Sequence, residues 1–409
     1  MNIYGFIIVL VLIFIEIYEL VIDKLNYDYI EKSCKNPPGK ALTIYTKDEL
    51  KKSAAYIRDG IRVAFFESIL INLFFFTFLI AGCFQWFASL IIDAYSNLYL
   101  RAIIFFTFYQ LFFGFITLPF DAYKTFKIEK NYGFNRTKVF LYIKDIIVKC
   151  IISFVILSII LIVIILVIRA CGDYWYIYGA TAIFLFYLSM IYLYPTVIAP
   201  LFNKFEPLKD KELEKKIFSL AEKAKFPVKN IFQIDASKRT THSNAYFTGF
   251  GKNKRIVLFD TLLKNHTTDE ILSILAHEIG HYKKKHLQKM LFILFIIIFI
   301  SFFVANFLIN STFLYKAFGF EKDLFTGLFI ISILLSPCVK VLKPLFLSIS
   351  RKHEYEADNF AMSLIEDKKV FIDTLIKLHK DNLSYPIPHP LYVKVNYSHP
   401  PLLERIANL

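Results

Sequence analysis

The chain has 409 residues, 56% hydrophobic, 18% aromatic and only 20% charged, with a mean hydropathy of +0.50. Soluble globular chains sit near ~45–50% apolar and ~25% charged residues, so the composition excludes an ordinary soluble protein and a disordered one, and its long apolar runs mark a polytopic membrane protein. The formal net charge of +14 reads as basic loops beside an anionic leaflet, and no nucleic-acid partner is expected because no motif for one stands out.

A bilayer-crossing helix needs about 20 mainly apolar residues. Seven runs qualify, near 3–22, 68–92, 99–120, 146–168, 174–198, 289–309 and 324–348. The first carries Glu16 and Glu19, lacks a cleavage signal, and is expected to be a retained transmembrane helix. The fourth, Ile146 through Ile168, is the cleanest. The last is interrupted by Pro337, Lys340 and Lys343, and a cation there should either face protein or water or snorkel to a helix end. Five cysteines, Cys34, Cys83, Cys150, Cys171 and Cys338, are scattered with no C-x-x-C pair, so neither a cysteine zinc site nor a disulfide framework is suggested.

The connections 23–67, 121–145 and 199–288 and the tail 349–409 are long and basic, whereas 93–98, 169–173 and 310–323 are short. The positive-inside rule puts the basic side in the cytosol, with a lumenal N-terminus and a cytosolic C-terminus. Four parts follow: five helices with two basic loops over 1–198, a cytosolic α+β segment over 199–288, two helices over 289–348, and a cytosolic C-terminal segment over 349–409. Within 199–268, Asp210 to Lys225 has helical spacing, Ile231 to Asp235 and Arg255 to Phe259 read as strands, and Gly249 and Gly251 break the chain between them. The segments 199–288 and 349–409 share one side of the membrane, so one site can draw on both.

His277-Glu278-Ile279-Gly280-His281 is an H-E-x-x-H motif, and Thr267 with Glu270 forms a capping box at the start of its helix. On a helix, His277 and His281 lie one turn apart on one face and can reach one metal ion. Glu278 is placed to touch a water on that ion rather than the ion itself. A catalytic zinc site wants a third protein ligand and one open position. His286, five residues beyond His281, is expected on the wrong helical face. The cluster His353-Glu354-Tyr355-Glu356-Ala357-Asp358 is the obvious source, with Glu354 and Asp358 one turn apart. One could bind zinc while the other buttresses a ligand histidine. Spacing alone does not choose among Glu354, Glu356 and His353.

The motifs together carry a resemblance. Tyr132-Gly133-Phe134-Asn135, Tyr194-Pro195-Thr196 through Pro207, Ser237-Lys238-Arg239, His242 to Phe247, Arg255 to Leu262, the zinc motif, Glu354 with Asp358, and Tyr397 to Arg405 span nearly the whole chain. With them the sequence resembles the zinc-dependent CAAX prenyl endopeptidases, the type I family of integral-membrane gluzincins. It departs from that family's pattern over Pro386 to Tyr392 and in its short 310–323 connection. The resemblance implies a mainly α, polytopic fold, with about seven transmembrane helices forming a barrel around a water-filled chamber and a small cytosolic α+β zinc-peptidase portion. It implies one Zn2+ ion held by His277, His281 and Glu354, with Asp358 orienting a ligand histidine. His399 and Arg405 are expected to contact the bound peptide and transition state. Asn244, Ala245, Tyr246 and Phe247 are expected to form a strand edge that pairs with the substrate backbone, a mode that makes little demand on substrate side chains.

The implied reaction is hydrolysis of the peptide bond after a prenylated cysteine in a C-terminal C-a-a-X sequence, with Glu278 as general base, in the endoplasmic reticulum membrane or nuclear envelope. A membrane quality-control endopeptidase of the same zinc class is the alternative. A non-enzymatic scaffold or transporter would allow the ligands or base to drift, yet all are present.

Overall fold

The apolar runs fold as helices whose ends are set by polar caps and by glycines, as seen in a computed structural model that describes residues 1–249 and 254–409. Helix α1 (Ile3–Lys35) starts at Asn2, whose side chain accepts from the Tyr4 and Gly5 amides at 3.0 and 3.2 Å. A short α2 (Gly39–Leu42) leads to α3 (Lys47–Ile80), opened by a capping box between Thr46 and Glu49. The expected span 68–92 is not one helix. Gly82 adopts φ +80, a left-handed conformation that ends α3, and α4 (Cys83–Ala94) is a separate apolar helix packed on it.

Helix α5 (Leu98–Tyr123) is capped by Asn97. Helix α6 (Val139–Cys171) breaks at Gly172, φ +53, and α7 (Trp175–Leu193) packs back against it before running through Pro195 into α8 (Ala199–Phe202). Among the described residues, six continuous helical stretches are long and apolar enough to cross a membrane, and one of them, Val139–Phe202, is 64 residues long. Because that stretch is folded in two at Gly172, the described residues supply the seven long apolar helices that the runs called for.

These helices do not pack as a solid bundle. The accessible surface is 21483 Å², against about 16,000 Å² for a compact monomer of this mass. Outward residues such as Phe140, Ile147 and Ile151 are exposed, as a lipid-facing wall requires. The two interrupting lysines face protein: Lys340 pairs with Glu16 on α1, and Lys343 Nζ donates to Asn396 Oδ1 at 2.6 Å.

The soluble portion is a four-stranded sheet in the order β1-β2-β4-β3, formed by β1 (Phe205–Pro207), β2 (Val228–Ile234), β3 (Ala245–Thr248) and β4 (Lys254–Phe259). β2 and β4 are parallel, and the outer pairs are antiparallel. Helix α9 (Lys211–Lys223), capped by Asp210, realises the expected helix, whereas β1 has no counterpart among the expected strands. Gly249 adopts φ +95 at the end of β3, and Gly251 lies outside the described residues. Then come α10 (Asp260–Asn265), α11 (Thr268–Lys283), α12 (His286–Leu308), α13 (Thr312–Phe318) and α14 (Leu324–Leu364). The chain closes with α15 (Lys368–Asp381), α16 (Pro390–Asn396) and α17 (Leu402–Ala407).

Two apolar clusters anchor opposite ends of the helical wall. One gathers Leu79, Phe84, Phe105, Phe318, Phe325 and Phe329, and α13, inside the short 310–323 connection, plugs it. The other joins the start of α3 to α11, α14, α15 and α17 through Leu50, Ala276, Ile279, Ala361, Phe371 and Leu402. The divergent segment Pro386 to Tyr392 docks on α1, where the buried Asn26 Oδ1 accepts from the His389 amide at 2.9 Å.

Candidate metal centre

Helix α11 is fixed before its functional residues are considered. Glu270 Oε2 accepts from the Thr267 amide at 2.8 Å, and Thr267 Oγ1 accepts from the Glu270 amide at 3.4 Å, so the capping box is present. Ile271 and Leu275 bury into the sheet, while Ala276 and Ile279 bury toward α14 and α15. His277, Glu278 and His281 face the cavities.

Helix α14 crosses α11 at Gly280. A Cβ on Gly280 would lie 2.9 Å from both the Cα and the carbonyl oxygen of Ala357, so only glycine permits this approach. Ala357 stands between Glu354 and Asp358. The close crossing therefore delivers both carboxylates to the histidines.

Three side chains converge there. His277 Nε2 and His281 Nε2 are 3.1 Å apart, Glu354 Oε1 is 3.2 Å from His281 Nε2, and Glu354 Oε2 is 3.5 Å from His277 Nε2. Ligand atoms each about 2.0–2.1 Å from one tetrahedral ion stand about 3.3 Å apart, which is the spacing found. Glu354 is buried, and its Oε2 makes no well-directed hydrogen bond, although His399 Nδ1 lies 2.7 Å away. A buried, under-satisfied carboxylate facing two imidazole nitrogens is the donor set for a divalent cation of zinc type.

The surroundings orient these atoms. His277 Nδ1 lies 2.8 Å from Asp358 Oδ1, leaving Nε2 for the metal side. Arg405 donates to the same carboxylate through Nε and Nη2 at 2.9 and 2.6 Å. Burial alone would lower the pKa of His277, but Asp358 and Glu354 outweigh it and push the imidazole up to about 9. Burial pushes the Glu278 carboxyl above its ordinary value against the pull of His277 and His281.

Of the residues expected at the site, His277, Glu278, His281, Glu354, Asp358, His399 and Arg405 meet in one place. Arg405, expected to touch bound peptide, is engaged by Asp358 and buried, although it also lines the cavity. His399 is 63% exposed at the cavity mouth. Asn244 and Ala245 line one cavity of about 660 Å³, and Tyr246 and Phe247 line a second of about 830 Å³. Glu278 lines both. β3, which carries Ala245 to Phe247, is an edge strand, paired among the described residues with β4 alone.

Motif reading assigned no separate role to several residues here. His242 stacks on Phe134 with ring centroids 4.1 Å apart, has Nδ1 2.6 Å from Asn382 Oδ1, and has Nε2 3.4 Å from Glu129 Oε2. His379 lines the same cavity, and burial takes its pKa down to about 4. The partners of His242, Phe134, Glu129 and Asn382, lie more than a hundred residues away, so no local pattern reveals them. His286 stays outside the three converging ligands, as its spacing predicts, but it makes a contact that spacing does not show. Lys285 adopts φ +58, the helix restarts, and His286 Nδ1 comes to 2.9 Å from His281 Nδ1. Glu356 and His353, open alternatives as ligands, turn toward His286 while Glu354 joins the histidines.

A seven-helix membrane wall closed by an H-E-x-x-H helix against a carboxylate-bearing helix defines a membrane-embedded zinc metallopeptidase. Residues 207–409 match the family model for peptidase family M48, and residues 26–204 match the model described as CAAX prenyl protease N-terminal, five membrane helices. The CAAX prenyl protease 1 homolog of Arabidopsis thaliana is 38% identical over 291 residues, covering 71% of this chain and 68% of that protein. CAAX prenyl protease 1 of Saccharomyces cerevisiae is 38% identical over 315 residues, covering 72% and 68%. The Homo sapiens homolog is 33% identical over 349 residues, covering 76% and 73%. The crystal structure of S. mikatae Ste24p superposes with a TM-score of 0.92 at 31% identity, covering 100% of this chain and 99% of that one. The chain belongs to the CAAX prenyl protease 1 family of M48 peptidases and is a multi-pass membrane zinc metalloprotease.

Proposed function

We propose that this chain cleaves the C-terminal tripeptide from prenylated C-a-a-X proteins, using one zinc ion. The observation that carries this reading is the position of Glu278, between a cavity lined by Ser243, Asn244 and His379 and one lined by Tyr187, Tyr194, Tyr246 and Phe247. Two cavities that meet at Glu278 suit the two sides of a scissile bond, and both are lined largely by apolar side chains, as a lipidated substrate requires. The basic loops support an active site and C-terminus on the cytosolic face of the endoplasmic reticulum membrane, with the N-terminus lumenal.

His277, His281 and Glu354 would hold the zinc ion, which when bound would supply Lewis acidity and lower the pKa of water toward neutrality. The outer edge of β3, from Ala245 to Phe247, holds the substrate backbone extended, and Asn244 positions it at the cavity mouth. Glu278 takes the proton of the attacking water and returns it to the leaving amine. His399 donates toward the developing oxyanion. Asp358 fixes the ring of His277, and Arg405 acts through Asp358 by holding its carboxylate.

The test is incubation of purified protein with a farnesylated C-a-a-X peptide and its unprenylated twin, with and without chelator. Tripeptide release from the prenylated peptide alone, abolished by chelation and restored by zinc, supports the reading. Equal chelator-sensitive cleavage of both peptides removes the prenyl group as the determinant.

A further inference from the structure

His281 has two ring nitrogens and two sets of neighbours. Its Nε2 faces Glu354 and His277, while its Nδ1 lies 2.9 Å from His286 Nδ1. The other nitrogen of His286, Nε2, lies 3.1 Å from Glu356 Oε2. The His286 side chain is only 5% exposed, and the ring of His353 stacks on it with centroids 4.0 Å apart and planes 10° from parallel. Lys289 Nζ stands 3.6 Å from the same Glu356 oxygen.

These contacts leave one arrangement of protons. A nitrogen that binds a metal presents a lone pair, so the hydrogen of a neutral His281 sits on Nδ1. Its acceptor is His286 Nδ1, which must then carry a lone pair. The His286 hydrogen is thereby confined to Nε2, where the Glu356 carboxylate accepts it. The geometry points to Glu356 and His286 as a two-residue relay that fixes the tautomer and ring orientation of the zinc ligand His281. Both are positioning residues. The inference rests on the zinc reading of His277, His281 and Glu354, and adds groups that touch neither metal nor substrate.

The two ligand histidines are thus held differently. His277 leans directly on Asp358, which is fully buried and tied to Arg405. His281 leans on a carboxylate through an intervening imidazole, and that carboxylate is 30% exposed and shared with Lys289. The left-handed turn at Lys285 makes the second arrangement possible, because it folds the first residue of α12 back against the last turn of α11.

The test is the rate at which chelator strips zinc from the full-length protein in detergent, read by metal analysis, together with the absorption spectrum of the cobalt-substituted protein. His286→Phe keeps the stack on His353 but removes the acceptor and donor, and zinc loss should speed up by about 10–100-fold, the usual effect of losing a partner of a ligand. His286→Gln retains an acceptor toward His281 and a donor toward Glu356, and should stay near wild type. Glu356→Leu should follow His286→Phe, and it carries the test if His286→Phe folds poorly. A purely structural role would move all variants alike in melting temperature, with unchanged zinc release and cobalt spectrum, and would overturn the relay. His281→Ala separates the two readings. If it loses zinc while His286→Phe and Glu356→Leu hold it as wild type does, the relay fails and the zinc site stands. If wild type takes up no zinc, both fail.

Discussion

Gly280 and Ala357 meet backbone to backbone, with the space for a Gly280 Cβ already filled by the Ala357 Cα and carbonyl oxygen, each 2.9 Å away. This contact sets how far α11 stands from α14, and hence the 3.2 Å between His281 Nε2 and Glu354 Oε1. Gly280→Ala should force the helices apart, costing about 1–3 kcal/mol of stability as overpacking does. Zinc retention should fall with it, because Glu354 and Asp358 flank the displaced residue. Zinc content after dialysis, measured beside the melting temperature, checks this. A variant that melts lower but keeps full zinc would show that the crossing serves packing alone.

The buried pair Asp358 and Arg405 invites a double-mutant cycle. Asp358 is fully buried, and Arg405 meets it through two hydrogen bonds. Removing one member leaves the other uncompensated, at a typical cost of about 3–5 kcal/mol. Arg405→Met and Asp358→Asn should each destabilise strongly, while the double variant should lose less than the sum. Strictly additive losses, read from denaturant midpoints, would show that Arg405 does not act through Asp358. Arg405→Lys should rescue little, because an ammonium cannot reproduce the two-point contact.

The helical wall and the zinc motif were legible because each is written locally. A run of about 20 apolar residues or two histidines four apart is a one-dimensional signal. Gly82 and Gly172 also punctuate helices as glycine should, although the break at Gly82 splits a run that reads as a single span. The third ligand was narrowed to three neighbours and fixed as Glu354 only through resemblance, because α14 could present any face until Gly280 sets its approach. The approach of His286 to the far nitrogen of His281 is hidden for a different reason. The reversal occurs at a lysine in a run of lysines, with no glycine or asparagine to mark a left-handed residue. β1 went unseen because three residues containing a proline carry no alternation.

Glu278 separates metal binding from chemistry. It lines both cavities and is absent from the group of three converging ligand atoms. Glu278→Gln should therefore keep zinc at wild-type stoichiometry and lower the cleavage rate by about 10²–10⁴-fold, the range a positioned base contributes. Metal analysis and single-turnover cleavage on one preparation decide the matter. Full activity would remove Glu278 from the role of base, and loss of zinc would make it part of the metal-holding group.

His242 gives the cavity wall a pH dependence of its own. Burial alone would lower its pKa, but Glu129 at Nε2 and Asn382 at Nδ1 outweigh it, and the imidazole is raised above its ordinary value. Both nitrogens face acceptors, so the doubly protonated ring fits best. A histidine whose folded pKa exceeds its unfolded value of about 6.5 stabilises the fold fully below that pH, and the contribution is lost as pH rises through the folded pKa. The melting temperature of wild type should therefore fall relative to His242→Gln as pH is raised from about 6.5 through the folded pKa. Glutamine also loses the stack on Phe134, so the change in the difference with pH is the informative quantity, rather than its absolute size. A difference that stays constant across this window would mean that the histidine stays neutral in the fold and serves only as a stacked, hydrogen-bonded wall. A fluorescence or scattering melt in detergent at several pH values, with buffer enthalpies matched, distinguishes the two.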